Sequence, residues 1–249
     1  MLGSRWLQIA VTACIGTLSM ADTAIAKEVL SNEEKQSINK LIEEYILQNP
    51  EVIIQSIEGM RERERLQVEQ ETKTNLVALA EDIFHNPSDP VAGNPDGDVT
   101  VVEFLDYRCG YCKSFFTSIN AIIPDDENVR VVFEELPILG PSSERAARVA
   151  LAASRQNLYL EFHTAIMSMR GGFNEKRMFA MAEEIGIDMS QLRQDMELSE
   201  GQSTLDNARE PARKLSITGT PAIIVGSNIV RGAIDKDRLS AMISEAREE

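Results

Sequence analysis

Cysteine is scarce in this chain of 249 residues: there are three, at positions 14, 109 and 112. Three thiols exclude a small scaffold stapled together by disulfides. Histidine is scarcer still, and His85 and His163 leave little material for a histidine-rich metal centre. Tryptophan occurs once, as Trp6. Positive charge is also short. The 25 Lys and Arg residues face 40 Asp and Glu, a net charge of -15. That balance excludes nucleic acid as a partner, because phosphate binding needs a basic footprint. What the chain does have is 43% hydrophobic and 26% charged residues, a mixture suited to a packed globular protein. Its length allows one or two domains.

The first 26 residues read as an export signal. Arg5 gives a positive start, Leu7 to Met20 form a short apolar stretch, and Ala24-Ile25-Ala26 offers small residues for cleavage before Lys27. The apolar stretch is shorter than the roughly 20 residues of a spanning helix. Removal of this segment takes Cys14 and Trp6 with it and leaves Cys109 and Cys112 as the thiols. The expected location is the periplasm, an oxidising compartment where disulfide chemistry proceeds.

Residues 27 to about 90 read as helix. Ser31 with Glu34 is a capping-box signature, and Ile38, Leu41, Ile42, Tyr45 and Ile46 follow the spacing of one apolar face. Asn49-Pro50 suits the start of a second helix. From Arg61 to Asn75 eight of fifteen residues are charged. The spacing supports i,i+4 charge pairs, so this stretch is expected to be a solvated helical spacer with no face worth burying. An apolar helical pair beyond such a spacer is marginal alone. It predicts a homo-oligomer formed through roughly residues 30 to 60.

His85 to Asp98, dense in Pro, Gly, Asn and Asp, reads as a loop and a domain boundary. Val99 to Leu105 then reads as a strand buried on both faces, Cys109 to Ile122 as a helix and Val129 to Phe133 as a strand. Ser142 to about Asn207 is helical in pattern, with breaks at Arg170-Gly171-Gly172 and around Gly186. Pro221 to Val225 and Ile229 to Arg231 are short strands, and Asp235 to Arg247 is a last helix. Met167, Met169, Met178 and Met181 suit adaptable core filling. His163 reads as a packed or surface histidine.

Cys109-Gly110-Tyr111-Cys112 directly follows a strand and opens a helix. At that place the first thiol faces unpaired backbone N–H groups and the positive end of the helix dipole. Both favour the thiolate, which is the nucleophile of disulfide exchange. A zinc site would need two further ligands, and no second C-x-x-C is present. Two thiolates are also soft ligands for Cu(I), which leaves copper binding as a competing reading.

FLDYRCGYCK, the downstream ELPILG, the helical block and Gly219-Thr220-Pro221 together resemble the DsbA-like thiol-disulfide oxidoreductases. The N-terminal helices and the Thr-Pro pair look closest to the ScsC branch, named for suppression of copper sensitivity, whose members include oligomeric disulfide isomerases. The resemblance implies an α/β class: a thioredoxin fold with an inserted helical domain at about 140-207, preceded by an N-terminal α-helical extension. It divides the chain into a signal at 1-26, a helical oligomerisation region and spacer at 27-90, and a catalytic domain at 91-249.

It also implies roles. Cys109 is the attacking cysteine and Cys112 resolves the mixed disulfide. Glu103 matches the family's buried acid beneath the active site, where desolvation raises its proton affinity and it takes the proton of Cys112. Pro221 matches the family's cis-proline, and Thr220 offers its backbone to an extended client chain. Gly110 and Tyr111 stand where the strongest oxidases carry Pro-His, which implies a less oxidising pair. The resemblance implies a periplasmic disulfide isomerase or reductase that acts on cysteine-containing proteins, with a membrane redox partner and no bound cofactor. The alternatives are a dithiol oxidase of the DsbA type and a Cu(I)-binding protein of copper tolerance.

Overall fold

The computed structural model describes residues 30–248, so the export segment expected at residues 1 to 26 lies outside the described residues. The chain divides into two compact units, one ending at Met60 and the other beginning at Arg61.

The first unit is helical. Helix α1 (Asn32–Gln48) opens with the expected capping box. The Glu34 N–H donates to the Ser31 hydroxyl at 3.2 Å, and the Ser31 N–H donates to the Glu34 carboxylate at 2.7 Å. Two of the N–H groups orphaned at a helix start are thereby satisfied. Asn49 closes the helix by donating its side-chain N–H to the Tyr45 carbonyl at 2.8 Å. Helix α2 (Glu51–Ala78) follows Pro50 directly. No residue of α1 is buried. Leu41, Ile42, Tyr45, Leu47, Ile54 and Met60 are exposed large hydrophobics, far more than an ordinary surface helix carries.

In the second unit the charged part of α2 is braced as its spacing predicts. Arg65 bonds both Glu62 and Glu69, and Lys73 bonds Glu69 at 3.0 Å. The expectation of no buried face ends at its last turns. Thr72 and Leu76 are buried, and Leu76 packs with Leu79 and with Ile83 of helix α3 (Ala80–Phe84). The polar composition before Thr72 hid this, because the apolar residues of the face lie beyond the charged run.

A five-stranded sheet forms the centre, in the order β1-β3-β2-β4-β5. Its strands are β1 (Val91–Gly93), β2 (Val99–Leu105), β3 (Val129–Glu135), β4 (Ala222–Val225) and β5 (Asn228–Arg231). β2 and β3 are parallel and the other pairs antiparallel. Strand β1 lies inside the segment expected to be loop. Gly93 makes its pairing feasible. It has φ +73, and a Cβ there would stand 2.4 Å from the Val129 carbonyl oxygen, so only glycine fits. Strand β3 runs two residues beyond the expected end, through Glu134 and Glu135, both buried.

Strand alternation sorts the sheet into two faces. Val101, Leu105, Val131, Phe133, Ile223 and Val225 point to one core. Helix α4 (Gly110–Ile122) covers it with Phe115, Phe116 and Ile119, and α10 (Lys236–Ala246) adds Leu239, Met242 and Ile243. Val102, Phe104, Val132, Ala222 and Ile224 point to the opposite core, closed by Leu76, Leu79, Ile83, Leu215 and Ile217.

Between β3 and β4 lies the helical insertion. It comprises α5 (Pro141–Ser154), α6 (Tyr159–Ser168), α7 (Glu175–Ile185), α8 (Met189–Asp195) and α9 (Ser199–Lys214). The breaks near residues 170 and 186 are present. A further break at Arg155–Leu158 turns through Asn157 at φ 58. The insertion runs to Lys214, past the expected end near 207, with Pro211 inside α9. Met167, Met169 and Met178 are buried in the first core, the filling role expected of them.

Candidate functional site

The site is built where β2 hands over to α4. The β2 residues Val99, Val101, Glu103 and Leu105 alternate toward the α4 face. Three residues, Asp106, Tyr107 and Arg108, then carry the chain to the cap of α4. The Asp106 carbonyl accepts the Cys109 N–H at 2.9 Å. Its carboxylate accepts the N–H of Arg108 at 2.8 Å and those of Ile138 and Leu139 at 2.9 Å each. The Arg108 guanidinium donates to the Leu139 carbonyl at 2.6 Å. The loop after β3 is thus pinned to the start of α4 by one carboxylate and one guanidinium.

Cys109 is the N-cap of α4, in extended conformation and with no side-chain cap bond. It is 8% exposed, while Cys112 is fully buried. Both are free thiols. The Cys109 thiol donates to the Thr220 carbonyl oxygen at 3.1 Å, and the Thr220-Pro221 peptide bond is cis. Burial, then the nearby Glu103 charge, pushes the Cys112 thiol well above its ordinary range. Gly110 and Tyr111 lie on the open side: Tyr111 is 72% exposed, and a Cβ on Gly110 would meet nothing within 4 Å.

Glu103 is wholly buried, and neither carboxylate oxygen has a hydrogen-bond partner. It pairs with Phe133 on one side and Ile223 on the other, at the centre of the sheet. Burial first, then Glu135 and Cys109, push it well above the usual carboxylate range. The structure therefore brings together Cys109, Cys112, Glu103, Thr220 and Pro221, with Gly110 and Tyr111 at the rim.

Sequence reasoning passed over a second buried group beside it. The hydroxyls of Tyr107 and Tyr159 donate to the same Glu135 oxygen, at 2.7 and 2.8 Å. His163 Nδ1 lies 3.1 Å from the Tyr107 hydroxyl. All four side chains are buried. Burial pushes Glu135 up to about 8, against the two hydroxyls that pull it down, and burial pushes His163 down to about 3. The one signal in the sequence was a pair of glutamates ending a strand of valines and phenylalanine. A cavity of about 700 Å³ lies elsewhere, lined by Arg65, Thr72, Leu76 and Ile229 among others, and includes none of these residues. Among the described residues no group of three or more His, Cys, Asp or Glu is placed to hold a metal ion.

Residues 100–244 match the model of the DSBA-like thioredoxin domain. The chain belongs to that family. Residues 34–67 match a second model, the ScsC N-terminal domain of a copper resistance protein. Solved relatives of this DSBA-like protein agree. A thioredoxin-like oxidoreductase from Silicibacter pomeroyi DSS-3 is 41% identical, with 68% of this chain and 98% of that one covered and a TM-score of 0.66. The catalytic domain of Proteus mirabilis ScsC is 26% identical over 71% of this chain and 99% of its own, with a TM-score of 0.65. A periplasmic thioredoxin-like protein from Salmonella enterica serovar Typhimurium is 28% identical over 69% of this chain and 97% of its own, with a TM-score of 0.63. Among curated proteins, the Na(+)/H(+) antiporter NhaA 1 of Salinispora arenicola is 28% identical over 64% of this chain. The chain spans only 24% of that antiporter's length, and no helix among the described residues is long and apolar enough to cross a membrane.

Proposed function

We propose that this DSBA-like protein is a periplasmic protein thiol-disulfide oxidoreductase that works chiefly as a disulfide isomerase or reductase. One observation carries the oxidoreductase part: a thiol at a helix N-terminus, bonded to the backbone of the cis-proline loop, stands next to a buried thiol over a buried carboxyl. Cys109 attacks a client disulfide, forming a Cys109–client bond and releasing the other client sulfur as a thiolate. Cys112 then attacks Cys109 and releases the client as a second thiolate, while its own proton passes to ionised Glu103. The backbone of Thr220 lies where an extended client segment pairs with it, with Pro221 holding that loop against Cys109. Gly110 and Tyr111 contact the client at the rim.

The isomerase part rests on the N-terminal helices. Their unpartnered apolar faces and the ScsC-type match at 34–67 support a homo-oligomer through residues 30 to 60. Several active sites then hold one misfolded client long enough for a second attack. A membrane redox partner keeps the pair reduced. Tyr111, in place of the imidazole of strong oxidases, supports the same direction. A dithiol oxidase of the DsbA type is the runner-up. The periplasmic assignment is supported by the signal-like first 26 residues and by the periplasmic Salmonella relative.

Refolding of a client with scrambled disulfides tests the reading. The full chain should restore client activity, and a chain lacking residues 30 to 60 should lose most of that ability while still exchanging small disulfides. Equal isomerase activity in both would overturn the oligomer argument. Stoichiometric uptake of Cu(I) with no disulfide exchange would overturn the enzymatic reading altogether.

A further inference from the structure

Glu103 and Glu135 share one face of the sheet. Glu103 stands opposite Phe133 in the parallel β2–β3 ladder, and Glu135 stands opposite Leu105. They are therefore diagonal neighbours, with Cβ atoms about 8 Å apart from strand and residue spacing. Their surroundings differ in one respect. Glu135 Oε1 accepts two hydroxyl hydrogen bonds, whereas both oxygens of Glu103 and the second oxygen of Glu135 have none. Two carboxyls this close in an apolar interior do not both ionise. When one charge is present, it is better solvated on Glu135.

The hydrogen bonds also fix the proton inventory. Tyr107 and Tyr159 each have one hydroxyl proton, and each spends it on Glu135. The Tyr107 oxygen can then accept from His163 Nδ1, 3.1 Å away, in the tautomer that leaves the buried Nε2 bare. The titratable groups around the pair are Tyr107, Asp106 and Glu103 from β2 and the turn after it, Glu134 from β3 itself, Tyr159 and His163 from α6, and Cys109 and Cys112 at α4 beyond Glu103.

We propose that Glu135, anchored by Tyr107 and Tyr159, is a positioning residue of the redox centre that carries the buried negative charge when the pair is ionised and Glu103 still holds its proton. This rests on the oxidoreductase reading above. When a thiolate attacks the Cys109–Cys112 disulfide, a bond forms between the attacking sulfur and Cys109. The bond between Cys109 and Cys112 breaks, and its electron pair leaves on Cys112. Cys112 takes the proton of Glu103. Glu103 becomes the carboxylate, and Glu135 binds one proton from solvent, so the pair still holds a single charge. Overall one disulfide, one thiolate and one proton give one mixed disulfide and one thiol. The reverse steps return the proton.

The test uses the oxidised full chain with glutathione as the attacking thiol, followed across pH, so that glutathione's own ionisation is common to every variant. Glu135→Gln removes the charge that keeps the proton on Glu103. The midpoint assigned to Glu103 should move about one pH unit lower, which is about tenfold in rate on the sloping limb. Tyr159→Phe removes one donor, disfavours the charge on Glu135, and should move the midpoint in the same direction by less. A packing defect lowers amplitude without moving a midpoint. In redox-difference infrared spectra, a protonated-carboxyl C=O band should disappear in Glu135→Gln and another in Glu103→Gln. If Glu103→Gln abolishes the titration while Glu135→Gln and Tyr159→Phe both retain the wild-type midpoint and band, the role of Glu135 is overturned and the oxidoreductase reading stands. If Cys109→Ser leaves exchange intact, the oxidoreductase reading itself fails.

Discussion

The thiol of Cys109 lies 3.1 Å from the carbonyl oxygen of Thr220, a residue 111 positions further along the chain. A thiol at the cap of α4 is thus held against the loop that enters β4. In the proposed function, a client cysteine that reaches Cys109 meets, at the same moment, a backbone able to pair with its own chain. The two cysteines are unequal in the same geometry, because Cys109 is at the surface edge and Cys112 is sealed beneath it.

That inequality predicts opposite outcomes for two single substitutions. Cys112→Ser should accumulate mixed disulfides between Cys109 and client proteins, visible as slower bands on non-reducing gels. Cys109→Ser should form none and lose exchange activity. Equal trapping by both variants would refute the division of labour.

Asp106 predicts a coupled loss of stability and activity. Its carboxylate holds three backbone N–H groups across the junction between α4 and the loop after β3. Asp106→Ala should lower stability by about 2 kcal/mol, the order expected when a charged acceptor is deleted. It should also slow exchange, because Cys109 hangs from the same turn. Urea titration with parallel rate measurements checks this. An unchanged rate at reduced stability would separate the turn from the chemistry.

The buried carboxyls predict a pH dependence of stability with a definite sign. Burial pushes Glu135 up to about 8. Burial and the charge of Asp89 push Glu134 up to about 9. The folded chain therefore binds protons that the unfolded chain releases near the ordinary value of 4.5. Stability from these groups is full below that value and is lost as pH rises through their folded values. His163, pushed down to about 3, acts oppositely only below its ordinary 6.5. Between about pH 6.5 and pH 9 the unfolding free energy from urea titration should therefore fall, by roughly 1.4 kcal/mol per pH unit for each carboxyl still protonated, and the urea midpoint with it. Glu134→Gln should flatten the upper part of that decline, and a midpoint that rises with pH would contradict the assignment.

The exposed helices predict an assembly defect that spares chemistry. Leu41→Asp together with Ile54→Asp places charge on the apolar faces of α1 and α2, where burial of an unpaired carboxylate is unfavourable. Light scattering should show a monomer, while exchange with a small disulfide stays within about twofold. A wild-type oligomer in the double variant would exclude these faces as the interface.

Several features were legible in the sequence because they are local. The capping box at Ser31 needs two residues three apart, and the helix start at Cys109 follows from a strand pattern meeting C-x-x-C. The cysteine pair was legible by elimination, since no other thiol follows residue 14. Strand β1 was not legible, because its identity depends on a partner 41 positions away, Val91 opposite Val132, and on a glycine that admits a carbonyl. Glu135 was missed for a related reason: a glutamate at a strand end looks solvated until α6 delivers Tyr159 over it.

The sequence by itself determined where the two thiols stand: Cys109 and Cys112, one helical turn apart, at the start of a helix that follows a strand, because spacing and element order are local. Only the tertiary structure decided the proton environment. It set Glu103 and Glu135 as diagonal neighbours on one sheet face, gave two hydroxyl donors to Glu135 and none to Glu103, and closed the site with a carbonyl from Thr220. Proton affinity in an interior depends on which groups share a low-dielectric volume, and chain separation carries no information about that.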